Sequence, residues 1–363
     1  MSQENNLLVA ASGTGGHIFP ALAISKNLEE YWNIHWLGVR QRFDANFVPQ
    51  KYDLSTLNIK TPKKNLFIVF QYLDILMSTF HIIRILKAKK INLVFTTGGY
   101  ISAPTIIAAK ILSIPVIMHE SNLIPGMVTK YFGFLCNYVF TGFQETNSYL
   151  KYCKTIFTGT PLREQFYKNN LLPEWVPKGE GPLLVFMGGS QGAKAINEIL
   201  YESLEFLVRE NFRIVHIIGE NNKKVFNIQS SKNYVQIKFT HEIAALIQNC
   251  DLVISRSGSG TINELIQSKK PSILIPYPYS KNNHQDKNAM ILAKIGGSLL
   301  INQNKISKEF FEETLKRIFK SKSKNGKYIY EILDLMKKNM ENNSGFKSKN
   351  EIKKLINYFL KEF

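Results

Sequence analysis

The chain has 363 residues, 44% of them hydrophobic, and a formal net charge of +18. That length holds two domains with separate cores, and that composition excludes a disordered chain. The charge is uneven: residues 60–90 carry seven Lys/Arg against Asp74 alone, and residues 301–363 carry fifteen against eight acidic residues, so these stretches hold thirteen of the eighteen. Such an excess attracts an anionic partner, whether nucleic acid, acidic lipid or a phosphorylated substrate. Residues 1–6 are polar and lack the regions of a signal peptide, and Cys136, Cys153 and Cys250 show neither metal nor disulfide spacing. The cytoplasm is the expected compartment.

In chain order, the first strand is predicted at Leu7–Ala11, followed by SGTGGHIFP, residues 12–20, and an amphipathic helix. Glycines 13, 15 and 16 let main-chain N–H groups approach a ligand, and the helix adds its positive end, so the turn suits an anion such as phosphate. A triphosphate loop would close with Gly-Lys-Ser/Thr, whereas this one closes with Gly16-His17-Ile18. A dinucleotide loop would be spaced Gly-x-Gly-x-x-Gly; here the spacing is one short, and no acid ends the second strand, Ile34–Gly38, which weakens that reading.

Residues 66–86 are apolar but contain Gln71, Asp74, His81 and Arg84, so they do not span a bilayer. Lys63 and Lys64 precede them and Lys87, Lys89 and Lys90 follow. Two readings stand: a buried helix with solvated lysines at its ends, or a helix lying in a headgroup layer. Strands predicted at Leu93–Thr97, Pro115–His119 and Tyr138–Thr141 continue the βαβ rhythm of a parallel, helix-covered sheet.

Four prolines and two glycines between Pro161 and Pro182 mark an irregular connection. The rhythm restarts with Leu183–Met187 and GGSQGAKAINEIL, then Arg213–Ile218, Tyr234–Lys238, Asp251–Ser255 and Pro271–Ile275. The expected class is α/β, with two Rossmann-like doubly wound domains, 1–160 and 183–340, joined by a linker over 161–182 and facing across a cleft.

Four turns fall at predicted strand ends: Gly13–His17, Gly98-Gly99-Tyr100, Gly188-Gly189-Ser190 and Ser257–Gly260. Their joint placement makes phosphate groups on both sides of the cleft the expected ligands. His17 is the one histidine attached to a glycine loop and can take a proton near neutral pH; His119 and Glu120 are rival bases. Thr261-Ile262-Asn263-Glu264 fits a capping box, in which Glu264 serves the helix's own amides, and equally a ribose site, in which it accepts from two hydroxyls. Arg163 is either a donor to a leaving diphosphate or a surface arginine of the linker. In YPYSKNNHQDKNA, residues 277–289, Gln285 is the amide chosen to read sugar hydroxyls. No Asp-x-Asp pair or metal-spaced cluster occurs, so neither metal nor cofactor is expected, and helix N-termini, amides and an arginine would steady a leaving diphosphate.

Through GTGGHIFPALA, TTGGYISAP, HESNLIPG, GTPLRE, GGSQGAKAIN, SRSGSGTINE and HQDKNA, in that order, the chain resembles the MurG family. These bacterial transferases move N-acetylglucosamine from UDP-N-acetylglucosamine to lipid I in peptidoglycan synthesis. The resemblance implies a GT-B fold, no metal requirement, and a C-terminal helix, 341–363, returning to the first domain. It places UDP on the second domain, with Gly189 and Ser190 at the diphosphate, Glu264 at the ribose and Gln285 at the N-acetylglucosamine hydroxyls. Arg163 and Asn122 match donor-site positions, and Thr14, Gly15, Gly16 and Tyr100 line the acceptor side. His17, with Glu120 as the alternative, would take the proton of the C4 hydroxyl of N-acetylmuramic acid, whose single displacement of UDP inverts the anomeric carbon. Helix starts at Ser190 and Thr261 would steady the charge on UDP. Where the family has a hydrophobic residue after strand 234–238, this chain has Thr240.

The partners so implied are UDP-GlcNAc, lipid I and the anionic cytoplasmic face of the cell (inner) membrane, held peripherally, with no nucleic acid. The rivals are a UDP-GlcNAc 2-epimerase of the same architecture and a basic nucleic-acid-binding protein. The latter shows no aromatic-basic recognition motif and leaves the glycine turns unexplained.

Overall fold

The computed structural model describes residues 5–13, 15–39, 47–58, 68–189, 192–219, 232–320, 322–324, 327–342, 355 and 358. The chain divides into two compact units, Met1–Arg163 with Lys347–Phe363, and Glu164–Phe346.

The first unit runs β1 (Asn6–Ala10), α1 (Gly15–Leu28), β2 (Asn33–Val39), β3 (Asp53–Leu57), α2 (Ile68–Ala88), β4 (Leu93–Thr96), α3 (Ser102–Ile111), β5 (Val116–Glu120), α4 (Met127–Phe132), β6 (Tyr138–Thr141) and β7 (Thr155–Phe157). Its sheet is parallel in the order β3-β2-β1-β4-β5-β6-β7. Every residue of β1 and β5 is buried, as in a parallel sheet covered on both faces. The period of two divides the core: Leu8 and Ala10 pack with Ile82 and Leu86 of α2 and Ile106 of α3, whereas Leu7 and Val9 pack with Ala21, Ile24 and Leu28 of α1. Leu355 is fully buried in the second of these clusters, and the Tyr358 ring lies 5.7 Å from that of Phe140. In helix α2 Thr79, Ile82 and Leu86 are buried, while Leu76, Met77 and Phe80 are exposed.

The second unit runs β8 (Leu183–Met187), α5 (Lys194–Arg209), β9 (Arg213–Ile217), β10 (Tyr234–Ile237), α6 (Ile243–Asn249), β11 (Leu252–Ser255), α7 (Ser259–Gln267), β12 (Ser272–Leu274), α8 (His284–Lys294), β13 (Ser298–Leu300), α9 (Lys308–Ile318) and α10 (Glu331–Asn342). Its larger sheet is also parallel, in the order β10-β9-β8-β11-β12-β13. Leu184 and Phe186 of β8 share a core with Ile196 and Leu200 of α5 and Phe311 and Leu315 of α9.

In each sheet the strand order reverses beside the first strand, between β1 and β4 in one and between β8 and β11 in the other. Ligands of open parallel sheets bind outside the carboxyl ends of the strands at that reversal. The four turns singled out in the sequence follow these four strands.

Candidate active site

Helix α1 starts at Gly15, five residues after β1 ends, and puts the half-buried His17 in its first turn. His17 Nδ1 lies 2.6 Å from the carbonyl oxygen of Thr97, one residue past β4, and Thr97 Oγ1 donates to the His17 carbonyl at 2.8 Å. A carbonyl only accepts, so Nδ1 carries the hydrogen, and in the neutral ring the Nε2 lone pair is the base. Gly98 and Gly99 have φ of +91° and +85°, and a Cβ at Gly98 would sit 3.4 Å from His17 Cε1. The second turn thus lies against the imidazole, in a conformation that side chains avoid. Ser102 Oγ pins it by donating to the Gly98 carbonyl at 2.7 Å. Tyr100 is exposed beside that turn, and Gly15 and Gly16 lie with His17 in the first turn of α1. Thr14 lies outside the described residues. The Arg163 guanidinium stands 4.5 Å from the centroid of Phe19 on α1, a cation–π contact that ties it to the helix bearing His17.

The two rival bases are committed elsewhere. Glu120, at the end of β5, accepts from Asn122 N and Nδ2 at 2.9 and 3.0 Å on Oε1, and from Gly126 N and Thr129 Oγ1 at 2.8 and 2.6 Å on Oε2. Four donors on a buried carboxylate shape the loop that carries Asn122. His119 is wholly enclosed: Nε2 donates to the Gly159 carbonyl at 2.9 Å, Nδ1 pairs with Ser121 Oγ at 3.2 Å, and burial holds the ring below its usual range and hence neutral.

In the second unit the turn after β8 is tightly wound. A Cβ at Gly188 would lie 2.1 Å from Ala193 N, and one at Gly192 2.1 Å from the Ile218 carbonyl. Gly189 differs: its φ is +84°, and a Cβ there would meet nothing within 4 Å among the described residues, as would one at Gly258 or Gly260 after β11. Three glycines bordering open space at one sheet edge are what the close approach of a phosphate needs. Ser190 lies outside the described residues.

The helices here start elsewhere than the sequence suggests. Helix α5 begins at Lys194 rather than Ser190, and α7 at Ser259 rather than Thr261. The capping box is therefore not formed: the residue before α7 is Gly258, without a side-chain cap, and Glu264 is the buried sixth residue of the helix. Apolar periodicity is equally served by a helix two residues longer, which is how the earlier start escapes detection. Gln285 Oε1 accepts from Tyr277 N at 2.9 Å, its carbonyl accepts from Ser257 Oγ at 2.8 Å, and its Nε2 has no protein partner among the described residues.

Two site residues stand inside quoted motifs whose pattern does not reveal what they hold. One is Thr97, described above. The other is Arg256, buried at the end of β11, whose Nη1 donates to the Ile275 and Pro276 carbonyls at 2.8 and 3.0 Å and whose Nη2 donates to Gln303 Oε1 at 2.6 Å. Burial pushes its pKa down to about 10, and it braces the segment leading to Gln285. The sequence shows it as the arginine of SRSGSGTINE directly after an apolar strand run, without the carbonyls it holds.

Two Rossmann-like units, each with a site at its strand-order reversal, glycines open to a phosphate on one sheet and a tautomer-fixed histidine on the other, are the architecture of the GT-B class. The family 28 glycosyltransferase profiles match accordingly, the N-terminal domain over residues 7–141 and the C-terminal domain over 183–349. A relative from Prochlorococcus marinus strain MIT 9312, named UDP-N-acetylglucosamine–N-acetylmuramyl-(pentapeptide) pyrophosphoryl-undecaprenol N-acetylglucosamine transferase, is 79% identical over 363 residues, the whole of both chains. The chain belongs to the MurG family. The crystal structure of Acinetobacter baumannii MurG superposes with a TM-score of 0.72 at 24% identity, over 98% of this chain and 99% of that one. The Methanocaldococcus jannaschii UDP-GlcNAc 2-epimerase, solved with UDP-GlcNAc and UDP, shares the fold at a TM-score of 0.58 and 16% identity, over 97% and 99%.

Proposed function

We propose that the chain transfers N-acetylglucosamine from UDP-GlcNAc to the C4 hydroxyl of N-acetylmuramic acid in lipid I, giving lipid II, in one inverting displacement without a bound divalent cation. The observation that carries this reading is the fixed tautomer of His17, whose Nδ1 is engaged by Thr97 while Nε2 is left for a proton. In the reaction His17 Nε2 takes the C4 hydroxyl proton as that oxygen bonds to the anomeric carbon. The bond to the diphosphate oxygen breaks, and UDP departs with the electron pair. An α-linked donor then gives a β-1,4 product.

The donor lies on the second unit, its diphosphate against the Gly189 and Ser190 turn and the start of α7, where main-chain amides and helix ends offset the developing charge. Glu264 accepts from the ribose hydroxyls, and Gln285 Nε2 donates to a hydroxyl of the sugar. Arg163 and Asn122 complete the donor contacts. The acceptor diphosphate meets Thr14, Gly15, Gly16 and Tyr100 on the first unit. Glu120, with both oxygens occupied, positions the Asn122 loop and leaves the base role to His17.

The reading includes a place of action: the cytoplasmic face of the cell membrane, held peripherally and without nucleic acid as a partner. Support comes from Leu76, Met77 and Phe80, exposed on α2 next to a lysine-rich stretch, while no helix among the described residues is long and apolar enough to cross a membrane.

The test supplies labelled UDP-GlcNAc and a lipid I analogue in the presence of EDTA. A lipid-linked disaccharide is expected, and its rate falls by about 10²–10⁴ in His17→Ala. Release of an altered free sugar without lipid product would favour the epimerase reading. Undiminished turnover by His17→Ala would remove the histidine from the mechanism.

A further inference from the structure

Asn197, His216, Tyr234, Gln236 and Tyr201 form a continuous polar chain inside the second unit that the proposed reaction does not use. His216 of β9 is fully buried, with Nε2 2.9 Å from Asn197 Oδ1 and Nδ1 3.0 Å from Tyr234 Oη. Tyr234 Oη and Tyr201 Oη lie 2.8 and 3.0 Å from Gln236 Oε1, and the Tyr201 ring meets the imidazole edge to face at 5.3 Å. Asn197 Nδ2 in turn donates to the Ile218 carbonyl at 3.4 Å.

The donor and acceptor roles follow from that carbonyl, which only accepts. It fixes the nitrogen of the Asn197 amide toward Ile218 and the oxygen toward His216, so Nε2 of the imidazole carries the hydrogen and Nδ1 is an acceptor, which shares the single Tyr234 hydroxyl hydrogen with Gln236 Oε1. The residues facing the ring from the neighbouring elements are neutral: Tyr234 on β10, Tyr201 and Asn197 on α5, and Phe186 in register on β8. A ring in such surroundings stays uncharged, and burial alone pushes its pKa down to about 3.

The position of this chain sets its role. Asn197 is in the first turn of α5, and its N–H bonds the carbonyl of Ala193, the residue that closes the glycine turn. The Ile218 carbonyl that it holds is the atom against which Gly192 packs so closely that a Cβ would come within 2.1 Å. The Asn197–His216–Tyr234 part of the network is buried and hydrogen-bonded, and it stands directly behind a turn whose outer face, at Gly189, is open among the described residues.

We propose that His216 is a positioning residue for the donor: its Nε2–H orients Asn197, which through the Ile218 carbonyl holds the Gly188–Gly192 turn in the shape that receives a nucleotide diphosphate. This rests on the assignment of that turn to the donor. The probe is UDP, titrated by calorimetry into the full chain as wild type, His216→Leu, His216→Gln, Asn197→Ala and the double variant His216→Leu/Asn197→Ala.

His216→Leu and Asn197→Ala are each expected to weaken UDP by about tenfold, the scale of one lost hydrogen bond. The double variant should be no weaker than either single one, because both break the same link. His216→Gln, which presents an amide N–H toward Asn197, should recover most of the affinity. The KM for the lipid I analogue should not move, a split that loss of general stability would not produce. Folded His216→Leu or Asn197→Ala binding UDP within about twofold of wild type overturns the proposal. If circular dichroism shows His216→Leu unfolded, Asn197→Ala decides by the same criterion, and a folded His216→Gln that binds UDP as weakly as Asn197→Ala likewise overturns the proposal. A wild-type chain that does not bind UDP would instead bring down the donor-site reading itself.

Discussion

His17 and Thr97 exchange two hydrogen bonds between the first turn of α1 and the end of β4, Nδ1 to carbonyl and Oγ1 to carbonyl. The first fixes the tautomer and the second fixes the backbone from which the ring projects. His17→Ala should therefore lower kcat by about 10²–10⁴ and leave UDP affinity unchanged. Thr97→Val keeps the carbonyl that orders Nδ1 and loses only the return bond, so a loss of about tenfold or less is expected in steady-state kinetics. A Thr97→Val variant as inactive as His17→Ala would show that the hydroxyl itself takes part.

Glu120 gives a different signature. Its oxygens accept from Asn122, Gly126 and Thr129, and a glutamine would turn an N–H toward donors on one side. Glu120→Gln should lower stability by about 1–3 kcal/mol in urea denaturation, the cost of leaving buried donors unmet. A Glu120→Gln variant of full stability and no activity would restore it as the base.

The contrast between these residues and the rest shows what the sequence carries. Strands with unbroken burial, such as β1, β5 and β8, are legible as apolar runs, as are the turns that follow them. Strands β3, β7 and β13 are not. Four of the five residues of β3 are at least partly exposed to solvent and one is buried, and β7 and β13 have three residues each, too few to show a period. His17 is legible because a glycine loop surrounds it. Thr97, Arg256 and His216 are not, because each acts through partners that lie far away in sequence, brought near only by sheet pairing.

His216 also predicts how acid affects stability. An unfolded histidine takes up a proton near pH 6.5, whereas burial keeps the folded imidazole neutral down to about pH 3. Between these values the unfolded state binds the additional proton, so the stability due to this group is complete above about pH 6.5 and declines toward pH 3, by about 1.4 kcal/mol per pH unit. Urea midpoints measured at pH 7, 6 and 5 should fall less steeply for His216→Gln than for wild type. Parallel slopes would mean that the ring is hydrated or charged in the folded protein.

Leu355 lies at the far end of the chain yet is fully buried with Leu7, Ile24 and Trp36 of the first unit. Leu355→Ala should cost about 2–5 kcal/mol, because a cavity at a packed site collapses only in part. Trp32 and Trp36 are in this unit and Trp175 is in the other, so single-tryptophan variants report the two separately. The first unit is expected to unfold at lower urea while the Trp175 signal stays put. Equal shifts of both signals would show that the two units unfold as one.

Membrane attachment is tested on helix α2, where Leu76, Met77 and Phe80 are 51%, 71% and 59% exposed, although Ile82 and Leu86 of the same helix are in the core. Single exposed apolar side chains are ordinary, but three within five residues, beside a stretch with a surplus of lysine, suit insertion among lipid headgroups. Full burial of each such side chain is worth about 1.5–3 kcal/mol, so even shallow insertion of three governs partitioning. The triple variant Leu76→Ser, Met77→Ser, Phe80→Ser should sediment with anionic vesicles at least about tenfold less well than wild type. Wild-type sedimentation should also weaken as salt is raised, since the lysines act through a screened field. Transfer to a short-chain, water-soluble lipid I analogue should be unchanged in the triple variant, because none of the three touches the His17 site. Sedimentation equal to wild type would place the attachment surface elsewhere on the molecule.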